Sequence, residues 1–393
     1  MDEADMEALL RLLEAGGRAA PRRALLERHG GPRAALAAGA HAWREAGCDE
    51  AQRRALERKD APSHRRARAW LAQPGHHLLG WHDPDYPALL RRAPSPPLAL
   101  FVAGDPALLW HPAVAIVGSR SPTTGGRDNA GAFARAIAGA GFGVTSGLAV
   151  GIDAAAHAAA LDAGGVTVAV LGNGIDRPFP RANAALCARI AERGAVVSEY
   201  PPGTAGQRGH FPARNRIVAG LSLGVLVIEA AARSGALITA RLAGDAGREV
   251  FAVPGSIHNP KARGCHRLIR DGAALVEDAG EVVAALAPVA GGLGEALRRR
   301  LDAPNQGPSP PSGGAAGAGS PDDPDYNRLW QALGHDPIGM DRLAERTGLT
   351  AAELSSMLLL MELDGRVAVD HGRYARRPPF TANSAPSGAG RGK

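Results

Sequence analysis

Arg208, His210, Phe211, Arg214, Asn215 and Arg216 stand within nine residues of one another, in the stretch RGHFPARNR. Cationic side chains interleaved with an aromatic ring suit a single strand of nucleic acid. Guanidinium groups meet phosphates, the ring stacks on a base, and an amide reaches a phosphate or a base edge. The competing reading is structural: Arg214 or Arg216 forms an internal ion pair, for instance with Glu199 or Glu229. A second group is Gly118-Ser119-Arg120, followed by Ser121, Pro122, Thr123 and Thr124. Small residues at a strand-to-helix turn let backbone N–H groups approach an anion at the helix N-terminus. Thr123 or Thr124 suits the cap of that helix, and Arg120 adds a bidentate phosphate donor. Ser146 and Gly147 end another apolar run and are placed to line the same site. In FPRAN, Pro180 fits the first turn of a helix, which puts Arg181 at a helix N-terminus. The macrodipole disfavours a cation there, so an arginine in that place points to an expected anion. Lys261 and Arg263 add charge in NPKARG.

The residues of covalent or metal chemistry are sparse. Asp153 and His157 form an i,i+4 pair that suits a carboxylate–imidazole couple, but a helix-capping Asp beside a packed His explains them more simply. Cys48, Cys187 and Cys265 are odd in number and form no C-x-x-C pair, so neither a disulfide framework nor a cysteine zinc site has its spacing. Cys265-His266 has no second Cys/His cluster to accompany it. Neither G-x-G-x-x-G nor G-x-x-x-x-G-K-[ST] occurs, and no acidic residue ends the second strand to hold a ribose. The expectation is a binding protein with no catalytic residues, no metal and no cofactor.

The elements that must position these turns follow from the apolar pattern. Among 393 residues, 45% are hydrophobic, enough for a large core and two or three domains. The net charge of +6 is compatible with an anionic partner, but so much Ala, Gly, Pro and Arg also fits a GC-rich coding bias. The apolar runs AVAIVG, FGVTSG, VTVAVLG, AVVSEY, GVLVIEA and EVFAVPG recur between residues 113 and 255, each followed by a Gly-rich turn and an Ala/Leu-rich stretch. Spacings of about 25–30 residues fit βαβ units. Continuous rather than alternating apolar strands imply a sheet covered on both faces. This predicts an α/β fold with about six parallel strands, doubly wound, with ligands outside the carboxyl ends.

Around that core, residues 1–72 read as a small helical domain and 73–287 as the sheet domain. Residues 74–112 carry eight prolines and are expected to be an extended approach segment without regular structure. Residues 51–70 carry seven basic and two acidic residues, a composition that suits a solvated helix face. Residues 288–324 read as a flexible linker, 325–376 as a small domain, and 377–393 as a disordered tail. In the small domain two helices flank Gly348. Thr350 and Glu353 make a capping box, and RVAVDHGRYARR reads as a hairpin turning near His371-Gly372, together a winged helix. The acidic, amphipathic N-terminus is unlike a signal peptide, and no run of 18 apolar residues spans a membrane. A cytosolic protein is expected.

Nine motifs in order carry a resemblance: YPALL with PPLAL, GSR, SGLAVGIDAAAH, VAVLGNGID, FPRAN, SEYPPG, HFPARNRIVAGLS, RSGALITA and PGSIHNPKARGCHRLIRDGA. Over residues 75–285 the chain resembles the DNA-processing protein A (DprA/Smf) family. The resemblance implies an extended Rossmann-like fold, often with a helical N-terminal domain and a C-terminal winged helix. It also implies a homodimer that binds single-stranded DNA, protects it and helps load the RecA recombinase in natural transformation. The family's basic pocket maps onto Arg120, Arg181 and Arg208, with Phe211 at the stacking position. The dimer surface maps onto Cys265 to Val276, with Ile269, Arg270 and Leu275 as candidates. The second winged-helix helix, Ala351 to Leu363, has no Lys or Arg and carries Glu353 and Glu362, which ill suits a DNA groove. That argues for protein contact rather than a transcription factor's sequence reading. A Rossmann-type nucleotide phosphoribohydrolase is the enzymatic alternative, but its P-G-G-x-G-T-x-x-E motif is replaced here by RSGALITA and PGSIHN.

Overall fold

The computed structural model describes residues 1–58, 62–302, 324–333, 337–363, 366–370 and 372–376. The chain divides into two compact units, Met1–Asp302 and Ala303–Lys393.

In the first unit six helices come first: α1 Glu3–Glu14, α2 Ala19–His29, α3 Pro32–Ala37, α4 Gly39–Glu45, α5 Glu50–Glu57 and α6 Pro62–Leu71. Next are β1 His76–Gly80, α7 Ala88–Arg91 and β2 Ala99–Gly104. The alternating part runs β3 Ala113–Gly118, α8 Thr124–Gly139, β4 Gly143–Ser146, α9 Ile152–Asp162, β5 Thr167–Val170, α10 Ala184–Arg193 and β6 Ala195–Ser198. It continues with α11 His210–Gly220, β7 Gly224–Ile228, α12 Ala236–Asp245, β8 Glu249–Ala252, α13 Arg263–Arg270, β9 Ala274–Leu275 and α14 Ala279–Asp302.

The sheet order is β1-β2-β6-β5-β4-β3-β7-β8-β9. From β6 to β9 every pairing is parallel, and the six apolar runs are β3 to β8. The order reverses between β3 and β7, and such a switch point opens a crevice at the carboxyl ends. Side chains alternate across the pleat. Leu100, Val102, Val168 and Val170 join one core with Ile217, Val218, Ala240 and Ala243 of α11 and α12. Phe101, Ala169 and Val196 face the other way, onto Cys187 and Ile190 of α10 and onto Leu9, Leu10, Ala67 and Trp70 of the N-terminal helices. Trp70 also stacks on His76 at 3.9 Å between ring centroids. The helical region is therefore built into the sheet's core.

Two expectations are corrected. The proline-rich segment 74–112 is not irregular: β1 and β2 pair antiparallel, and β2 joins β6 antiparallel. Its prolines fall between these strands rather than in them, where they remove no ladder hydrogen bond. The expected linker from residue 288 begins inside α14, which runs through Pro288 to Asp302. Val282, Leu286 and Leu293 are buried along this helix, so packing outweighs one missing backbone donor. The remainder of the expected linker, residues 303–323, lies outside the described residues.

The second unit comprises α15 Pro324–Ala332, β10 Ile338–Gly339, α16 Met340–Thr347, α17 Ala351–Leu363, β11 Val367–Asp370 and β12 Arg373–Arg376. The strand order β10-β12-β11 makes the wing. Leu329, Leu343, Leu354, Leu358 and Met361 form its core. The capping box is present: Thr350 Oγ accepts from Glu353 N (3.3 Å) while Thr350 N donates to Glu353 Oε2 (2.8 Å). The hairpin turn residue His371 and the tail 377–393 lie outside the described residues.

Candidate nucleic-acid interface

The β3–α8 turn is built around Gly118, where an added Cβ would stand 1.9 Å from the carbonyl oxygen of Ile228. Only glycine lets β3 and β7 close at the switch point. Beyond it Thr123 caps α8, its Oγ accepting from Gly126 N at 3.0 Å. The helix N-terminus does not stand open for a ligand anion, which corrects the expectation drawn from the small residues of this turn. Glu229 follows β7 at φ 51°, a left-handed conformation uncommon for a non-glycine residue. This sends its carboxylate onto the helix N-terminus, where it accepts from Thr123 N (2.8 Å) and from Thr123 Oγ. Asn259 Nδ2 also donates to Glu229, at 3.2 Å. The dipole of α8 is satisfied by the protein's own anion.

Arg120 is exposed beside this closed turn. Lys261 is not a free cation: half-buried, its Nζ donates to the carbonyl of Ser121 and straps the turn down. Ser119 Oγ accepts from Ser121 N (3.2 Å), and Ser146, wholly buried, donates to Ile116 O at 2.6 Å. Ser146 is thus part of the scaffold rather than a ligand contact.

Arg214 and Arg216 are corrected as well, since both are engaged internally. Arg214 is 5% exposed and donates to Gly147 O (2.7 Å) and to Val170 O, tying α11 to the ends of β4 and β5. Gly147 N in turn donates to Asp153 Oδ2 at 3.1 Å, so the backbone of one residue joins the buried carboxylate to the buried guanidinium. Burial lowers Arg214 to about 10, against the raising charge of Asp153, and the charge of Arg120 lowers it further. Burial likewise raises the Asp153 carboxyl, with Arg214 opposing. Arg216 pairs bidentately with Glu199 at 2.8 and 2.6 Å. Burial lowers Arg216, but the Glu199 contacts outweigh it and hold the guanidinium above its ordinary value. Of the simpler reading of Asp153 and His157 the packed histidine holds, but Asp153 does not cap α9: it accepts from Gly147 N and Ala149 N of the preceding loop. His157 is buried against Thr167 Oγ (2.7 Å), and burial first, then Arg214, lowers it to about 3.

What remains accessible is a cleft of about 540 Å³ at the switch point. Gly118, Ser119, Arg120, Gly147, Phe211 and Asn215 line it, as do Arg233 and Ser234. Asn215 is partly committed, its Nδ2 lying 3.4 Å from Gly235 O. Phe211 rests on two glycines: a Cβ at Gly172 would meet its ring at 2.9 Å, and one at Gly206 at 3.4 Å. Phe179 leans on Phe211 with ring centroids 5.3 Å apart and 45° between planes, and Phe179 is 53% exposed. Arg181 and Arg208 are exposed but do not line the cleft. Arg181 opens a short 3-10 turn that Asn183 pins to Leu148 O at 2.9 Å.

Two residues escaped the sequence reading. Phe179 lies inside FPRAN, where attention to charge hid the ring. Arg233 follows β7 in AAARSGALITA and reads as a helix-start arginine until the switch point brings it into the same cleft as Arg120.

A doubly wound domain whose switch-point crevice is lined by arginine and phenylalanine side chains, and whose α8 N-terminus is closed by its own carboxylate, is built differently from a dinucleotide-binding one. The family model for DNA recombination-mediator protein A matches residues 77–287, and that for the DprA winged helix domain matches residues 313–373. Protein Smf of Escherichia coli is 41% identical over 312 residues, 78% of this chain and 79% of that protein. DNA processing protein DprA of Streptococcus pneumoniae is 46% identical over 202 residues, 51% of this chain and 71% of that one. The X-ray structure of DNA processing protein A from Streptococcus pneumoniae superposes with a TM-score of 0.63 at 36% identity, covering 70% of this chain and 95% of that chain. The chain belongs to the DNA recombination-mediator protein A family.

Proposed function

We propose that the protein binds single-stranded DNA without strong sequence preference, as a non-catalytic mediator that hands the strand to RecA recombinase. The observation that carries this reading is an aromatic pair, exposed Phe179 and half-buried Phe211, at a cleft to which Arg120 and Arg233 contribute exposed side chains. Stacking accepts any base, and guanidinium contacts read phosphate rather than sequence. Arg181 and Arg208 flank the pair in sequence and complete the cationic rim. Asp153 and His157, the pair beside the cleft whose residue types suit general acid–base work, are buried and held by internal contacts, which supports a binding role over the phosphoribohydrolase alternative.

Dimerisation through α13 and β9 is part of the proposal. β9 is an edge strand, Leu275 is 48% exposed, Arg270 is exposed and Ile269 packs partly on the core. An open edge with an apolar side chain favours pairing with a second copy. Among the described residues no helix is long and apolar enough to cross a membrane, and work on DNA beside RecA places the protein in the cytoplasm. The acidic α17 favours a protein contact for the winged helix.

The test is a salt titration with an oligo-dT probe. Each phosphate neutralised contributes about 0.7 to the log–log slope, so replacing Arg120, Arg181 and Arg208 together by Ala should flatten it by about 2. An unchanged slope would remove these arginines from the interface. Relief by the wild-type protein of the block that single-strand-binding protein imposes on RecA filaments tests the mediator step.

A further inference from the structure

We infer that the bound strand passes over the Phe179–Phe211 pair onto the N-terminal helical region, where Arg66 and Arg177 take its next phosphates. The inference rests on the single-stranded-DNA reading and extends it to a part of the chain that reading leaves idle.

The path is set by two loops packed back to back. Gly174 N donates to Thr204 O at 2.9 Å, and Gly203 N donates to Asp176 Oδ1 at 2.7 Å. One end of this loop pair carries the aromatic rings, since Phe211 lies on Gly172 and Gly206. The other end touches α6. A Cβ built on Gly203 would stand 2.4 Å from Arg66 Nη1 and 3.1 Å from its Cζ, so the guanidinium lies against that backbone. Arg177 follows Asp176 on the same loop and, like Arg66, is exposed. Arg208 is exposed farther along the second loop.

The sidedness of α6 argues against a merely solvated basic helix. The side chains of α6 that face α1 are engaged there: exposed Arg68 pairs with Glu7 at 3.4 Å, and buried His64 lies 2.8 Å from Glu14, to which Ser63 also donates. The acidic side chains near the helix are thereby consumed within the bundle. Arg65 and Arg66 face solvent and have no ion pair among the described residues. Asp176 Oδ1 accepts from Gly203 N, and no ion pair joins Asp176 to either arginine among the described residues. Trp70, wedged into the sheet's core, fixes α6 in this position, so the arginines are held ready rather than carried on a loose arm. A helix whose acidic neighbours on α1 are engaged within the bundle, with two exposed guanidinium groups beside the DNA-facing loop, suits a polyanion that already occupies the cleft.

The experiment measures oligo-dT affinity by fluorescence anisotropy with the full chain, using a probe of about 6 nucleotides and one of about 20, lengths chosen around the span of single-strand sites. Losing one phosphate contact should weaken binding about four-fold at 0.15 M salt and about eight-fold at 0.05 M. Arg66→Gln should show that loss on the long probe and none on the short one, and Arg66→Lys should restore it. If Arg66→Gln binds both probes like wild type while the Arg120/Arg181/Arg208 variant is weakened, the extended path is wrong and the cleft stands. Equal weakening on both probes would mean that Arg66 acts by bracing the Gly203 loop, which also overturns the inference. If the Arg120/Arg181/Arg208 variant is itself unimpaired on the short probe, the underlying reading fails first.

Discussion

Replacing Gly147 by Ala tests how α11 is fixed to the sheet. The Cβ would stand 2.3 Å from Arg214 Nη2, 2.6 Å from Cζ and 2.7 Å from Nη1. The backbone of Gly147 lies outside the left-handed region, so the cost comes from space rather than from φ. A buried guanidinium has nowhere to retreat, and moving it breaks the bonds to Gly147 O and Val170 O. Each charge-assisted bond contributes about 1.5–3 kcal/mol, which makes the expected loss about 3–6 kcal/mol. Urea unfolding followed by far-UV circular dichroism should show a midpoint lower by on the order of 1–2 M at unchanged m, taking m near 3 kcal/mol/M. Gly147→Ala combined with Arg214→Ala should cost less than the two singles summed, because the methyl then fills vacated space. A single variant within about 0.5 kcal/mol of wild type, or strictly additive effects, would refute the steric argument and with it the assignment of Arg214 to the scaffold.

Phe179→Ala should weaken oligo-dT binding by about 1–3 kcal/mol if the exposed ring stacks on a base, with little change in unfolding midpoint, whereas Phe179→Tyr should bind normally. Glu199→Gln leaves Arg216 without its counter-charge in a partly buried site, and should lower stability by about 2–3 kcal/mol in the same urea assay. His157 has a definite pH signature. The unfolded chain takes up a proton near pH 6.5 that the folded chain refuses until about 3, so stability is full above pH 6.5 and declines as pH falls. The slope from this group approaches about 1.4 kcal/mol per pH unit, and His157→Phe should remove it. Asp153, whose carboxyl is raised by burial, contributes in the opposite sense, so comparing the variant with wild type isolates the histidine. Leu275→Glu should convert a dimer to a monomer in light scattering, and an unchanged mass would move the dimer surface elsewhere.

Strands β3 to β7 were legible because each is buried on both faces and therefore reads as a largely apolar run, and β8 because its buried end continues the pattern. β1 and β2 were not, since HHLLG and ALFVAG lie among prolines, and what makes them strands is pairing: β1 with β2, and β2 with β6 about a hundred residues away. The helix through Pro288 was hidden for a similar reason: its stability comes from Val282, Leu286 and Leu293 finding a surface, not from propensity. Within the site, residue type announced cations but not their engagement. Arg208 and Arg216 look equivalent in RGHFPARNR, yet one is exposed and the other faces Glu199, a distinction set by helix phase and by a strand end elsewhere in the chain. Arg233 became visible only when β7 was placed next to β3.

The carboxylate of Glu229 on the first helix of the sheet domain has a physiological corollary. In related architectures that position is where mononucleotides dock, so a resident acid should make ATP and similar metabolites feeble competitors, and the protein's grip on its polymer should not track the energy charge of the cell. Any timing of strand release must then come from whichever macromolecule arrives next.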